Sequence, residues 1–125
     1  MNPKTIKPKE LLLLYVSFTN ADNGKRRPIL VIKNANQELW FFSITSKYFQ
    51  KSTRIKIQYY PLQDWKLAGL AKPSYIDIKS LRKTPWSNLP EAQYIGQITE
   101  RDIKGLSEFI LTYDGRAAEI NHGKE

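Results

Sequence analysis

Residues 25–47 read Lys25-Arg26-Arg27-Pro28-Ile29-Leu30-Val31-Ile32-Lys33-Asn34-Ala35-Asn36-Gln37-Glu38-Leu39-Trp40-Phe41-Phe42-Ser43-Ile44-Thr45-Ser46-Lys47. From Pro28 to Lys33 the chain is rich in β-branched residues, which suit a pleated, half-buried surface. Asn34 to Gln37 supply turn chemistry, because Asn tolerates the backbone angles that a tight reversal needs. Glu38 to Thr45 returns as a second strand carrying Trp40, Phe41 and Phe42. Two apolar strands about a short polar turn make a β-hairpin. The rest of the fold is read around it.

Upstream, Glu10 to Phe18 is a continuous apolar run fit for a core strand. It is separated from the hairpin by a polar segment, Thr19 to Arg26, that contains Asn20-Ala21-Asp22-Asn23-Gly24. Downstream, Arg54 to Tyr59 alternates polar and apolar residues, the period of a strand with one wet face. Tyr75 to Ile78 and Tyr94 to Ile98 are further short strands. One long helix is expected. Thr99 is its N-cap, Asp102 stands where a capping box would carry Glu, and Ile103, Leu106 and Ile110 recur at helical spacing. Gly105 weakens this helix without preventing it. No repeat or inter-domain linker interrupts the chain. The expectation is a mainly β fold with a C-terminal helix: one domain over residues 1–112, of five or six short strands closed into a small barrel or half-barrel, and a polar, frayed tail over 113–125.

At 125 residues and 41% hydrophobic, the chain suffices for one domain with a real core. It has no cysteine, which excludes disulfides, thiolate zinc sites and cysteine nucleophiles. Its longest apolar stretch, Leu11 to Val16, is far shorter than the roughly 20 residues of a membrane span. Lys4, Lys7 and Lys9 before that stretch suggest a signal peptide, but two prolines, Glu10 and the lack of a small-residue cleavage site argue against one. A cytoplasmic protein without membrane contact is expected. Residues 1–60 hold 11 Lys and Arg against 3 Asp and Glu, whereas residues 61–125 hold 9 of each, so the net charge of +8 lies entirely in the first half. Such asymmetry suits a polyanionic partner, although a basic protein can be merely soluble.

The residue inventory narrows the chemistry. The only histidine is His122, in the polar tail, so neither a Ser–His–Asp triad nor a histidine-based metal site is expected. No glycine-rich phosphate loop precedes a helix. Any catalysis falls to Arg, Lys, Thr, Ser or carboxylates. Lys25-Arg26-Arg27-Pro28 places three cations at a strand entrance. Pro28 fixes its own φ and holds Arg27 extended, which gives the planar guanidinium a rigid base from which to grip two phosphate oxygens. The same residues can equally be a charged strand edge that discourages aggregation. Ser43-Ile44-Thr45-Ser46-Lys47 ends the aromatic strand with hydroxyls beside a lysine. These can orient a proton or a phosphate, or simply cap a turn. Counted from the turn, Arg27 and Thr45 are near-partners in register, so one joint site is expected.

Several segments together resemble the MazF/PemK toxins. Lys7-Pro8-Lys9-Glu10 leading into Leu11–Phe18 is similar to that family's opening strand, and Lys25–Ile32 to its most recognisable segment. Ile44-Thr45-Ser46 matches the Thr-Ser that ends its third core strand. Gly69-Leu70 and Pro73-Ser74-Tyr75-Ile76-Asp77 fall where the family has a Gly-Leu and a central strand, and Ile95-Gly96-Gln97-Ile98 resembles its last strand. The match covers roughly residues 7–111 and lies in the order and spacing of these short motifs. It implies an SH3-like barrel of five to seven strands, MazF/CcdB-like and usually homodimeric. It also implies the toxin of a toxin–antitoxin pair, cutting single-stranded mRNA until an acidic antitoxin segment fills its RNA groove.

On that resemblance Arg27 and Thr45 are the catalytic pair, and Lys25, Arg26, Ser46 and Lys47 bind substrate. No metal or cofactor takes part: the 2′-hydroxyl attacks the adjacent phosphorus and leaves a cyclic phosphate. Some members carry an Arg and an Asp near the Gly-Leu, assigned as acid and base. Gly69-Leu70-Ala71-Lys72-Pro73 supplies neither here, so the resemblance names no general base. Two rival functions share the fold. One is a non-catalytic nucleic-acid binder using aromatics such as Phe18, Tyr48 and Phe49. The other is a protein-binding, gyrase-type toxin.

Overall fold

The hairpin closes more tightly than its composition suggests. In the computed structural model, which describes residues 1–15, 26–89 and 91–122 and only the backbone of Asn121 and His122, β2 (Arg26–Ala35) and β3 (Glu38–Thr45) are joined by Asn36 and Gln37 alone. Both have positive φ, 55° and 60°. Two successive left-handed residues are the signature of a type I′ turn, whose twist matches that of the flanking strands. Pairing runs Ala35↔Glu38, Asn34↔Leu39 and Lys33↔Trp40, then resumes at Val31↔Phe41, Leu30↔Phe42 and Ile29↔Ser43. Ile32 is the extra residue of a β-bulge.

Four further strands extend the hairpin. β1 (Glu10–Tyr15) pairs with β2, and β6 (Gln93–Gln97) pairs with the far side of β1. β5 (Tyr75–Pro85) pairs with β3, and β4 (Tyr59–Pro61) with β5. The result is one antiparallel sheet in the order β4-β5-β3-β2-β1-β6. Among the described residues three α-helices complete the fold: α1 (Thr53–Lys56), α2 (Glu100–Leu111) and α3 (Tyr113–His122). The mainly β architecture with a C-terminal helix is as the sequence indicated. Among the described residues no helix is long and apolar enough to cross a membrane.

Both faces of the sheet are buried, which explains why Leu11 to Leu14 is a run rather than an alternation. Leu12, Leu14, Ile29, Val31, Leu39 and Phe41 form one core, covered by Ile6 and by Trp86, Leu89 and Ala92. Leu11, Leu30, Phe42, Ile44 and Ile76 face the other side, under Leu62, Ala68, Ile98 and Leu106. Directly paired residues share a face, as Leu12↔Ile29 and Leu30↔Phe42 do.

α2 is held by a buried carboxylate. Asp102 is fully buried. Its Oδ1 accepts from the Tyr60 hydroxyl and from the Gln63 amide, each at 2.8 Å, and its Oδ2 from the Asp64 amide at 2.9 Å. The Thr99 N-cap accepts from the Asp102 amide and donates to Asp64. Asp102 is therefore not the second half of a capping box. Its carboxylate turns inward to three donors, since a buried charge left unpaired is costly. Hydrogen bonds from Arg101 and Thr99 hold the Asp64 carboxyl below the usual range, whereas burial first and the Asp102 hydrogen bond second push the Tyr60 phenol above its own.

Other expectations change. Of Arg54–Tyr59 only Tyr59 is in a strand, as the first residue of β4: Thr53–Lys56 is a helical turn closed by the Ile55 and Lys56 amides on the Ser52 carbonyl. Ile55 is 41% exposed, and Tyr59 and Tyr60 enter the core instead. The apolar members of the alternation had no sheet face to fill. β5 continues seven residues beyond Ile78, through a polar stretch carrying a register break between the Asp77 and Arg82 pairings. Tyr113–His122, expected to fray, is helical. Arg116 ties α3 back by stacking 3.6 Å over Phe109 and donating to the Ile57 and Phe109 carbonyls. Lys25, Phe18, the 20–24 turn and the His122 side chain lie outside the described residues.

Two glycine substitutions should shift stability in opposite directions. A Cβ at Gly105 would clash with the Tyr60 hydroxyl. Gly105→Ala should therefore lower stability by roughly 1–3 kcal/mol, despite a helix-propensity gain of about 1 kcal/mol, by displacing the Tyr60–Asp102 bond. Gln37→Gly relieves a left-handed non-glycine residue and should add roughly 0.5–1 kcal/mol. Urea denaturation of both variants checks the signs.

Candidate functional site

The bulge at Ile32 decides what faces Arg27. Extending the Ile29↔Ser43 register by two residues sets Arg27 opposite Thr45. The neighbouring ladders continue the row, with Ser43↔Asp77 and Thr45↔Tyr75, then Tyr59↔Asp77. Arg27, Ser43, Thr45, Tyr75, Asp77 and Tyr59 thus share one face, a polar continuation of the face that Ile29 and Val31 fill with core. The two residues the sequence pairs are brought together.

Two open cavities flank this pair. One, of about 520 Å³, is lined by Arg27, Ser43 and Thr45 together with Tyr59, Asp77 and Arg82. The other, of about 350 Å³, shares Arg27, Thr45 and Lys47 and adds Arg26, Ser46 and Lys72. Lys51 and Lys79 also line the first. Among the described residues, six further cations thus surround the pair, against Asp77 as the one carboxylate in either lining. Low-dielectric walls of one sign concentrate an anion. A third cavity, of about 530 Å³, contains neither Arg27 nor Thr45.

Each side chain has a local reason for its place. Pro28 holds the Arg27 backbone extended inside β2, and the Arg27 Nε is buried. The Lys47 amide donates to Thr45 Oγ1 at 3.0 Å, which orients the hydroxyl at the strand end. Ser43 Oγ is buried with no hydrogen-bond partner among the described residues. Ser80 bridges the register break, accepting from the Ser43 amide at 2.8 Å and donating to the Asp77 carbonyl at 2.6 Å. Asp77 Oδ1 accepts from Gln58 Nε2 and from the Lys79 amide, at 2.9 and 3.0 Å. The carboxylate is thereby fixed at the rim.

The expected binding residues divide. Lys47 lines both cavities. Ser46 and Arg26 line only the smaller one, and the Arg26 guanidinium lies 5.1 Å over the Tyr15 ring. Asp77, Tyr59, Lys51, Lys79 and Arg82 were not expected. Asp77 lies in Pro73-Ser74-Tyr75-Ile76-Asp77, where nothing local marks it as a site residue, and Lys79 to Arg82 lie beyond Ile78, the expected end of that strand. Among the described residues no group of three His, Asp or Glu gathers as metal ligands do.

Burial first, then the charge of Asp77 and its hydrogen bond, push the Tyr59 phenol up to about 12. The folded value lies above the ordinary value of about 10. Tyr59 therefore contributes stability below pH 10 that is lost as pH rises toward 12. Spectrophotometric titration should find one phenol in this range that Tyr59→Phe removes. Asp77→Asn should lower its pKa only in part, because burial remains.

No protein-family model matches the chain, nor does any curated protein sequence. Solved structures do resemble it. MazF (Form-I) from Deinococcus radiodurans superposes with a TM-score of 0.54 at 16% identity, over 94% of this chain and 96% of that one. The MazE–MazF structures of the same organism give 0.53 at 16% identity (Form-II, 92% and 93% covered) and 0.52 at 14% (Form-III, 94% and 96% covered). At such identity the likeness establishes the fold, which is MazF-like.

Proposed function

We propose that this chain is the toxin of a toxin–antitoxin pair, an endoribonuclease that cuts single-stranded RNA without a metal. The observation that carries the reading is that Arg27 and Thr45 line the same two cationic cavities, as the Ile29↔Ser43 register extended to the strand ends requires. Arg27 holds the scissile phosphate and stabilises charge developing on its non-bridging oxygens, while Thr45 aligns the 2′-hydroxyl. Asp77, the one carboxylate lining the cleft, accepts the 2′-hydroxyl proton. The 2′-oxygen then bonds to phosphorus as the bond to the 5′-oxygen breaks. The products are a cyclic phosphate and, once the leaving oxygen takes a proton from Arg27 or water, a 5′-hydroxyl. Lys47 and Lys51 hold flanking phosphates, with Arg26, Lys72 and Ser46 along the second cavity; Lys25 belongs to the same cationic segment.

The same reading makes the chain cytoplasmic and homodimeric, with an antitoxin whose acidic segment competes for the cleft. Its support is the charge of the cleft and the MazE–MazF assemblies among the structural neighbours.

Incubating purified protein with unstructured RNA tests the activity. Discrete fragments with cyclic phosphate ends are expected, undiminished by EDTA. Arg27→Ala should slow cleavage by about 10²–10³ while the melting temperature holds. Full cutting by that variant, or complete loss of activity in EDTA, would end the proposal. A gel shift without fragments would favour a non-catalytic binder.

A further inference from the structure

Immediately after Thr45 the chain builds an aromatic cluster on the surface. Residues Tyr48–Gln50 form a 3₁₀ turn. Tyr48 stacks on Tyr75 with ring centroids 4.2 Å apart and planes 10° from parallel. Phe49 stands edge-on to both, at 5.3 Å from Tyr48 and 6.4 Å from Tyr75. Tyr48 also meets Tyr59 edge-on at 6.4 Å. Phe49 is 79% exposed, so burial in this chain recovers little for it. The Tyr48–Tyr75 stack already secures the connection leaving β3, and Phe49 is surplus to that task.

Its surroundings point to one kind of occupant. Lys56 Nζ lies 5.1 Å from the Tyr48 ring centre and 5.6 Å from that of Phe49, and Lys51 Nζ lies 5.8 Å from that of Tyr59. Between Lys47 and Gln63 the chain has Lys47, Lys51, Arg54 and Lys56 and no acidic residue. Tyr75 is the direct cross-strand neighbour of Thr45, and Lys51 and Tyr59 line the Arg27–Thr45 cavity. Cations that track a backbone, interleaved with open rings, are how proteins hold single strands, because every base offers a face to stack.

We infer that Phe49, supported on the Tyr48–Tyr75 stack, is the platform on which a base of the bound single-stranded RNA stacks, beside the phosphate held at Arg27 and Thr45. The inference rests on the ribonuclease reading and assigns that site its base-binding subsite. Lys51 and Lys56 meet the phosphates of the stacked stretch.

The test uses the full chain and a deoxyoligonucleotide roughly 16 nucleotides long. It lacks the 2′-hydroxyl and cannot be cut by the proposed route, and it carries 2-aminopurine at one position that is moved along the strand. Wild type should quench the fluorophore at a defined position. Phe49→Ala should abolish that quenching and weaken binding by roughly 5- to 150-fold, the loss of one base–aromatic stack. Phe49→Trp should restore both, and Phe49→Leu, which keeps apolar area without a ring, should not. Unchanged affinity and quenching in Phe49→Ala, or full function in Phe49→Leu, would overturn the platform. So would an altered oligomeric state of Phe49→Ala with affinity intact, since a second copy would then be the occupant. RNA cleavage is scored separately. If Arg27→Ala stops cutting but Phe49→Ala leaves binding unchanged, the platform alone fails. If wild type quenches but never cuts RNA, the ribonuclease reading fails and the platform stands.

Discussion

Residues paired across two antiparallel strands point to the same face of the sheet, and that constraint organises everything the cleft can do. The type I′ turn starts β2 and β3 in a register that, continued unbroken, would bring Arg27 opposite Ser46. The bulge at Ile32 inserts one residue and moves the pairing along, so that the Ile29↔Ser43 register, carried to the strand ends, sets Arg27 opposite Thr45, and both line the same two cavities. The shift also carries side chains from one face to the other beyond the bulge, placing Leu30 and Phe42 against α2 and Ile29 and Val31 in the opposite core. The position of the guanidinium and the filling of both cores follow from one backbone irregularity.

A second irregularity completes the polar face. β5 changes register against β3, and the Ser80 hydroxyl takes over a hydrogen bond that a regular ladder would give the Ser43 amide. This keeps the backbone satisfied where pairing lapses. It also fixes Asp77 beside Ser43, with Tyr59 opposite, and puts a carboxylate into a cleft whose other charged lining residues are cations. Two bulged strands converge on the cleft, in keeping with the tendency of such bulges to lie beside sites that must aim a side chain.

The Asp102 carboxylate has a different task. By accepting from Tyr60, Gln63 and Asp64 it binds α2 to β4 and to the segment that follows it. Gly105 is the local cost of that arrangement, because only a residue without Cβ lets the Tyr60 hydroxyl reach past the helix. Its low helix propensity, read in isolation, looks like a weakness; the packing makes it a requirement. Arg116 extends the same scaffold by fastening α3 over Phe109, and Phe109 in turn meets Tyr60 edge-on.

The sequence by itself determined the hairpin, its turn, the strand positions near Glu10, Tyr75 and Tyr94, and the Thr99 N-cap. These depend on side-chain period and on residues whose own bonding sets the local backbone. It also put Arg27 beside a proline and Thr45 at a strand end, and it confined the net charge to the first half. It could not distinguish a strand from a helical turn at Thr53–Lys56, because four alternating residues satisfy either until a sheet face exists to accept the apolar ones. Only the tertiary structure decided that Asp77 joins Arg27 and Thr45, that Asp102 faces inward, and that Phe49 stays exposed on its stack. Each of those outcomes depends on contacts between segments distant in sequence, and on bulges that no local pattern announces.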